Sequence, residues 1–214
     1  MLDICLLGTG GMMPMPSRFL TAMLARLNGR LALIDCGEGT QVTMKMLGWG
    51  FKAIDVICFT HFHADHISGL PGLLLTIGNA GRTEPLTLIG PVGLQRIVEG
   101  LTLIAPELPF PIEYIELDKD TPNPIRVGAF EIHHCPADHM VKCFAYRIDL
   151  KRKGKFDVKK AEQLKLPKPL WNKLQKEGSV EHEGKTYTAD MVMGKTSTPL
   201  SIPSEIPSYL HRKM

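Results

Sequence analysis

A chain of 214 residues, 44% hydrophobic and 22% charged, is long enough for one substantial domain or a domain with an excursion, and too apolar to stay disordered. No apolar run approaches the ~20 residues of a membrane-spanning helix, and the N-terminus lacks the basic stretch and long apolar run of a secretory signal. The net charge of +3 is mild, and the five cysteines are scattered singly. Neither a disulfide framework nor a thiolate metal site is expected. Cys5, Cys36 and Cys58, each in or beside an apolar run, read as buried reduced thiols in a cytoplasmic protein.

In chain order, "DICLLG" (3–8) is a short aliphatic strand stopped by the glycine turn "GTGG". Two β-like runs within 20–37 flank Asn28-Gly29, the dipeptide of tight hairpins. Residues 38–50 predict a helix with Val42, Met46 and Trp49 on one face. "AIDVICFTH" (53–61) is a continuous apolar strand of the kind buried on both faces. A helix is expected from about Pro71, a strand over 85–91 and a helix over 93–105. Strands follow at 112–118, 130–137 and 143–150, the first two separated by a polar, proline-bearing loop. The order β-β-β-α-β-α-β-α-β-β-β predicts a layered α/β domain over residues 1–150 with antiparallel portions.

The chemistry concentrates in "FTHFHADHISGL" (59–70), which follows the buried strand directly. His61 and His63 are two apart and can bind one divalent ion. Asp65 and His66 point elsewhere and can serve a second. Two ions about 3.5–4 Å apart would clamp both oxygens of an in-line displacement. A polar turn with surface histidines would not need such crowding. Asp35 and Glu38, in "DCGEG", read either as carboxylates that orient ligand histidines or as acids near a helix N-terminus. Thr60 reads as a structural hydroxyl.

"THFHADHISGLPGLL" resembles the signature loop of the metallo-β-lactamase fold. "LLGTGGMMPMPSR", "LALIDCGEGTQ", "HHCPADHMVKCFAYRI" and "LPKPLWNKLQKEGSV" resemble motifs of its ribonuclease Z branch, the tRNA 3′-processing endonucleases. The resemblance covers about residues 1–194. It implies an αββα layered sandwich in which His61, His63 and His139 bind one zinc and Asp65 and His66 the other, with Asp65 as the catalytic base. His139 is preferred to His133 and His134 because it precedes the "CFAYRI" strand. Of those two, one is expected to face a carboxylate and the other solvent. The implied activity is removal of 3′ trailers from precursor tRNA by a zinc-dependent endoribonuclease, with no membrane partner. The implied assembly is a homodimer in which one subunit's arm holds tRNA for the other's site.

From residue 151 the composition shifts. Residues 151–176 carry ten Lys/Arg against two acidic residues, an imbalance suited to tracking phosphates. Lys151, Arg152, Lys153, Lys155, Lys159 and Lys160 are the candidate RNA contacts, and Phe156 and Trp171 candidate docking points. Residues 151–194 are therefore expected to form an exposed basic arm of the exosite type. The family pattern also includes a metal-bridging aspartate and a late histidine. After Asp190 there is no aspartate, and the only later histidine is His211. Residues 195–214 show neither helical nor strand period. The expectation is a C-terminally truncated member with an incomplete C-terminal half, an atypical tail and a weakened second zinc site. Two alternatives stand beside the nuclease. One is another hydrolase of the fold, a small phosphodiesterase or lactonase. The other is a non-catalytic RNA-binding remnant.

Overall fold

The structure, a computed structural model, describes residues 2–105, 107–150, 156–194 and 200–203. They fall into two compact units, one running to Asp149 and taking in the segment from Ile202, the other Leu150–Ser201.

In the first unit, β1 (Leu2–Gly8), β2 (Ala22–Leu27) and β3 (Arg30–Ile34) form an antiparallel meander. Asn28 and Gly29 both take positive φ, 51° and 81°, which is what a two-residue hairpin turn requires to match strand twist. The chain then crosses through α1 (Thr40–Leu47) to β4 (Ile54–Cys58), which pairs parallel to β3. After α2 (Ala64–Ile67) and α3 (Leu70–Asn79) comes β5 (Leu86–Pro91). Then α4 (Leu94–Leu101) and a 3-10 turn (Thr102–Ile104) lead to β6 (Ile112–Leu117). The six strands make one mixed sheet in the order β1-β2-β3-β4-β5-β6.

Both faces of the central strands are buried, as their unbroken apolar runs require. Leu31 and Leu33 of β3 and Leu86 and Leu88 of β5 pack in one core with Met44, Leu70, Leu73, Leu74, Ile77, Leu94 and Val98 from the helices. Ala32, Ile34 and Ile89, one position out of phase, are equally buried on the opposite face. The β3–β4 register slips between Leu31 and Ala32, which puts Ile54 and Ile57, three apart, on the helix side together.

The helix faces differ from the sequence expectation at α1. Val42 and Met46 are exposed, and the buried residues are Thr40 and Met44. With only two turns, the helix is oriented by Thr40 and Met44 against the core, and the Val42–Met46 face is left outward. The proline-bearing stretch after β6 also holds more than a loop. It contains β7 (Ile125–Val127), which pairs with β8 (Phe130–Ala137), itself antiparallel to β9 (Cys143–Leu150). All five cysteines are free. Cys36 and Cys58 are buried, whereas Cys5 is only partly so.

The second unit, where the basic arm was expected, carries its own folded core. It comprises α5 (Val158–Gln163), α6 (Lys168–Glu177), the hairpin β10 (Ser179–His182) and β11 (Lys185–Thr188), and α7 (Ala189–Val192). Ala161, Leu166, Leu174, Val180 and Val192 form its core. Asp157 caps α5 by accepting from the amides of Lys159 and Lys160. Phe156 and Trp171, expected as docking points, pack instead against this core with ring centroids 5.3 Å apart. The Trp171 indole N–H donates to the Leu166 carbonyl. Lys151, Arg152, Lys153 and Lys155 lie outside the described residues. The tail expected to lack strand period contains β12 (Leu200–Pro203), at the β9 edge of a second sheet ordered β12-β9-β8-β7. His211 lies outside the described residues.

Arg82 is fully buried beside the N-terminal ends of β4 and β5. Its guanidinium donates to the carbonyls of Lys52, Ile54, Glu84 and Pro85, so one side chain closes four backbone acceptors. Arg82→Met retains the apolar stem and orphans these carbonyls. The expected cost is on the order of 3 kcal/mol, read as a lowered urea midpoint at unchanged m-value.

Candidate metal centre

The site stands at the C-terminal ends of parallel strands β3 and β4, where an open α/β sheet leaves a crevice. Asp35 follows β3 and its amide donates to the Cys58 carbonyl (2.8 Å), while Thr60 and His61 follow β4. The two loops touch backbone to backbone. The Cys36 amide donates to the His66 carbonyl (2.7 Å) and the Gly69 amide to the Cys36 carbonyl (2.9 Å). Only glycine permits this approach. A Cβ on Gly37 would lie 2.4 Å from the Asp65 carbonyl oxygen, and one on Gly69 would lie 2.2 Å from the Gly37 carbonyl oxygen.

His139 arrives from the β8–β9 connection. That hairpin is pinned to the end of β4 by the Phe144 amide, which donates to the Thr60 carbonyl (2.9 Å), and by the Tyr146 hydroxyl, which donates to the Phe59 carbonyl (2.7 Å). His61, His63 and His139 then present one nitrogen each within 4.8 Å of one another. Nε2 of His61 is 3.0 Å from Nδ1 of His63, which is 3.3 Å from Nε2 of His139. Three imidazole nitrogens aimed at one point form a donor set suited to a borderline-soft divalent ion. Burial, reinforced by the neighbouring imidazoles of His66, His139 and His63, pushes His61 down to about 3. It is therefore neutral at physiological pH, the form a ligand needs.

Asp65 and His66 sit beside this group, in the short helix α2. Nε2 of His66 is 3.8 Å from Oδ2 of Asp65. The Met12 amide, on the loop after β1, donates to Asp65 Oδ2 (3.1 Å). Burial pushes the Asp65 carboxyl upward, but the Met12 hydrogen bond and the His66 charge outweigh it and hold it below its ordinary value. Burial likewise pushes His66 downward, and the hydrogen bond and charge of Asp35 outweigh that to raise it. Among the described residues only the three histidines form a group of three or more donors; Asp65 and His66 contribute two beside it.

The fully buried Asp35 carboxylate lies beneath the cluster. Its oxygens accept from the Thr60 amide (2.8 Å), the Thr60 hydroxyl (2.9 and 3.1 Å) and Nδ1 of His66 (2.8 Å). Glu38, paired with Asp35 in the sequence reading, is exposed, whereas Asp35 is buried. His133 faces a carboxylate, with Nε2 3.1 Å from Asp149 Oδ2. His134 does not face solvent. It is buried on the inner face of β8, where its ring meets Phe144 at 5.9 Å between centroids. The Met12 amide escaped sequence reading, because a backbone donor carries no residue-type signal.

Residues 2–98 match the family model described as Anti-Pycsar protein Apyc1. The chain is 57% identical over 194 residues to Ribonuclease Z of Agathobacter rectalis, covering 91% of this chain and 64% of that protein. It is 43% identical over 215 residues to Ribonuclease Z of Clostridium botulinum, covering 94% and 68%. The chain belongs to the ribonuclease Z family. It spans about two thirds of the length of these relatives. Among solved structures, the crystal structure of human tRNase Z, short form, superposes with a TM-score of 0.60 at 29% identity, over 69% of this chain and 64% of that one. The ribonuclease Z chain thus has the metallo-β-lactamase fold, and the loop carrying His61, His63, Asp65 and His66 occupies the end of its fourth strand.

Two outcomes are expected of the metal-free chain and its loaded form. On acidification followed by NMR, His66 takes up its proton above its ordinary value near 6.5, and His61 stays neutral down to about pH 3. Asp35→Asn keeps the size of the side chain but loses the acceptor for His66. Zinc affinity, measured by chelator competition, is expected to fall roughly 10- to 100-fold.

Proposed function

We propose that this chain carries the catalytic face of a zinc-dependent endoribonuclease that removes 3′ trailers from precursor tRNA. The convergence of three imidazole nitrogens beside Asp65 and His66, in a chain of the ribonuclease Z family, carries this reading. His61, His63 and His139 hold the first zinc, and Asp65 and His66 hold a second more weakly. When bound, such ions lower the pKa of water and neutralise charge that develops on phosphate oxygens. Asp65, held ionised by the Met12 amide and oriented by it, is the proton acceptor of the site. His61, neutral and buried, and His66, fixed through Nδ1 by Asp35, keep their remaining nitrogens directed into the cleft.

The basic segment that opens the second unit supplies phosphate contacts. Lys159 and Lys160 lie in the first turns of α5, and the Lys160 ammonium donates to the Met193 carbonyl (2.8 Å). Lys151, Arg152, Lys153 and Lys155 precede them in sequence. The favoured assembly is a cytoplasmic homodimer. Among the described residues no helix is long and apolar enough to cross a membrane.

One observation favours a second reading. The Asp65–His66 pair has two donors where the triad has three. A chain that loads the triad alone would bind RNA without cutting it. Incubation with a 3′-extended precursor tRNA, with and without zinc, separates the two. The nuclease reading expects zinc-dependent release of the trailer, leaving a 3′-hydroxyl, with loss of at least 100-fold in His63→Ala. Retention of RNA with one zinc and no cleavage would select the RNA-binding reading, and absence of any zinc uptake would defeat both. Lys159→Ala with Lys160→Ala is expected to weaken tRNA binding and to reduce the slope of log affinity against log salt by roughly 1 to 2.

A further inference from the structure

We infer that Thr60 is a positioning residue: its single hydroxyl proton fixes which nitrogen of His61 is free to bind metal. This rests on the metal reading of the triad, and it adds a residue that the donor set alone does not require.

The argument is one of donor counting. A threonine hydroxyl has one hydrogen to give and lone pairs to accept with. Thr60 Oγ1 lies 2.9 Å from Asp35 Oδ2 and 3.1 Å from Asp35 Oδ1. The Asp35 carboxylate already accepts from the Thr60 amide and from His66 Nδ1, so it acts as acceptor on every side. The Thr60 hydrogen is therefore committed to Asp35. Nδ1 of His61 is 2.9 Å from the same Thr60 oxygen. With its hydrogen spent, that oxygen can only accept, so Nδ1 of His61 must carry the imidazole hydrogen. In a neutral ring this leaves the lone pair on Nε2, the nitrogen that faces His63 at 3.0 Å.

The alternative tautomer would put a hydrogen on Nε2, pointing at the other two ligands, and would leave Nδ1 as an acceptor facing, at 2.9 Å, an oxygen with no hydrogen to offer and, at 4.0 Å, the Cys143 thiol, a weak donor. Thr60 and His61 are both buried, so water does not readily repair such a mismatch. One buried carboxylate thus orients two histidines, His66 directly and His61 through a hydroxyl. Thr60 Oγ1 also lies 3.4 Å from His66 Nδ1, between the two rings.

The test compares wild type with Thr60→Ser, which keeps the hydroxyl, and Thr60→Val, which keeps the shape without it. In metal-free wild type, long-range proton–nitrogen NMR is expected to show His61 as the Nδ1–H tautomer, and an Nε2–H tautomer there would overturn the proposal without any variant. Zinc affinity by chelator competition is expected to stay within about threefold for Thr60→Ser and to fall roughly 10- to 100-fold for Thr60→Val, with the tautomer becoming mixed. Wild-type affinity and an unchanged tautomer in a folded Thr60→Val would overturn it too. If wild type takes up no zinc, the metal reading fails while the tautomer measurement still decides the role of Thr60.

Discussion

The centre depends on a carboxylate taken out of water. Asp35 is completely buried at the end of β3, where an unpaired charge would cost several kcal/mol. That cost is offset only because the loop after β4 brings three donors to it, two from Thr60 and one from His66. The same contacts fix His66, place the backbone that leads into His61, and hold the loops close enough that Gly37 and Gly69 are needed where they meet. Asp35 itself takes a positive φ of 58°, a conformation aspartate tolerates better than most residues, which turns its side chain under the cluster. Fold and site share a foundation here. The parallel pairing of β3 and β4 sets Asp35 against Thr60, and the histidine cluster is built upward from that contact.

A division of labour follows. The triad combines a short-range pair from one loop, His61 and His63, with a histidine 76 positions beyond His63. The distant histidine has to be delivered by the fold. The β9 contacts to Phe59 and Thr60 do this, fastening the second hairpin to the strand end that bears His61 and His63. Asp65 is served by a third segment, the loop after β1. Four stretches of chain, around residues 12, 35, 60 and 139, therefore meet at one cleft.

The parts readable in the sequence were those with a local signal. Strands β1 to β6 announced themselves as apolar runs, the Asn28-Gly29 turn as a dipeptide, and the metal loop as an improbable crowd of imidazoles. The parts that escaped it depend on distance along the chain or on backbone. The three-donor environment of Asp35 joins residues 25 and 31 positions apart. Met12 acts through its amide. Helix α1 is only eight residues long, and its spacing allowed two faces, of which packing selected the one carrying Thr40 and Met44. Of His133 and His134 one was expected to face solvent, yet strand alternation sends His134 inward. The core of the second unit escaped notice for a different reason. The charges of the basic segment hid a sparse set of apolar residues, spread from Ala161 to Val192, that make a core only when two helices and a hairpin bring them together.

Within the second unit, the described stretch 156–194 begins and ends at one place. Phe156 bridges to Met193, and the Asp157 amide donates to the Val192 carbonyl (2.7 Å), so its incoming and outgoing strands lie side by side. A module whose two ends meet, and which carries its own interior, makes little geometric demand on the strand that leads into it. His61, His63 and His139 all precede it in the chain, so a change in its length leaves their spacing in sequence untouched.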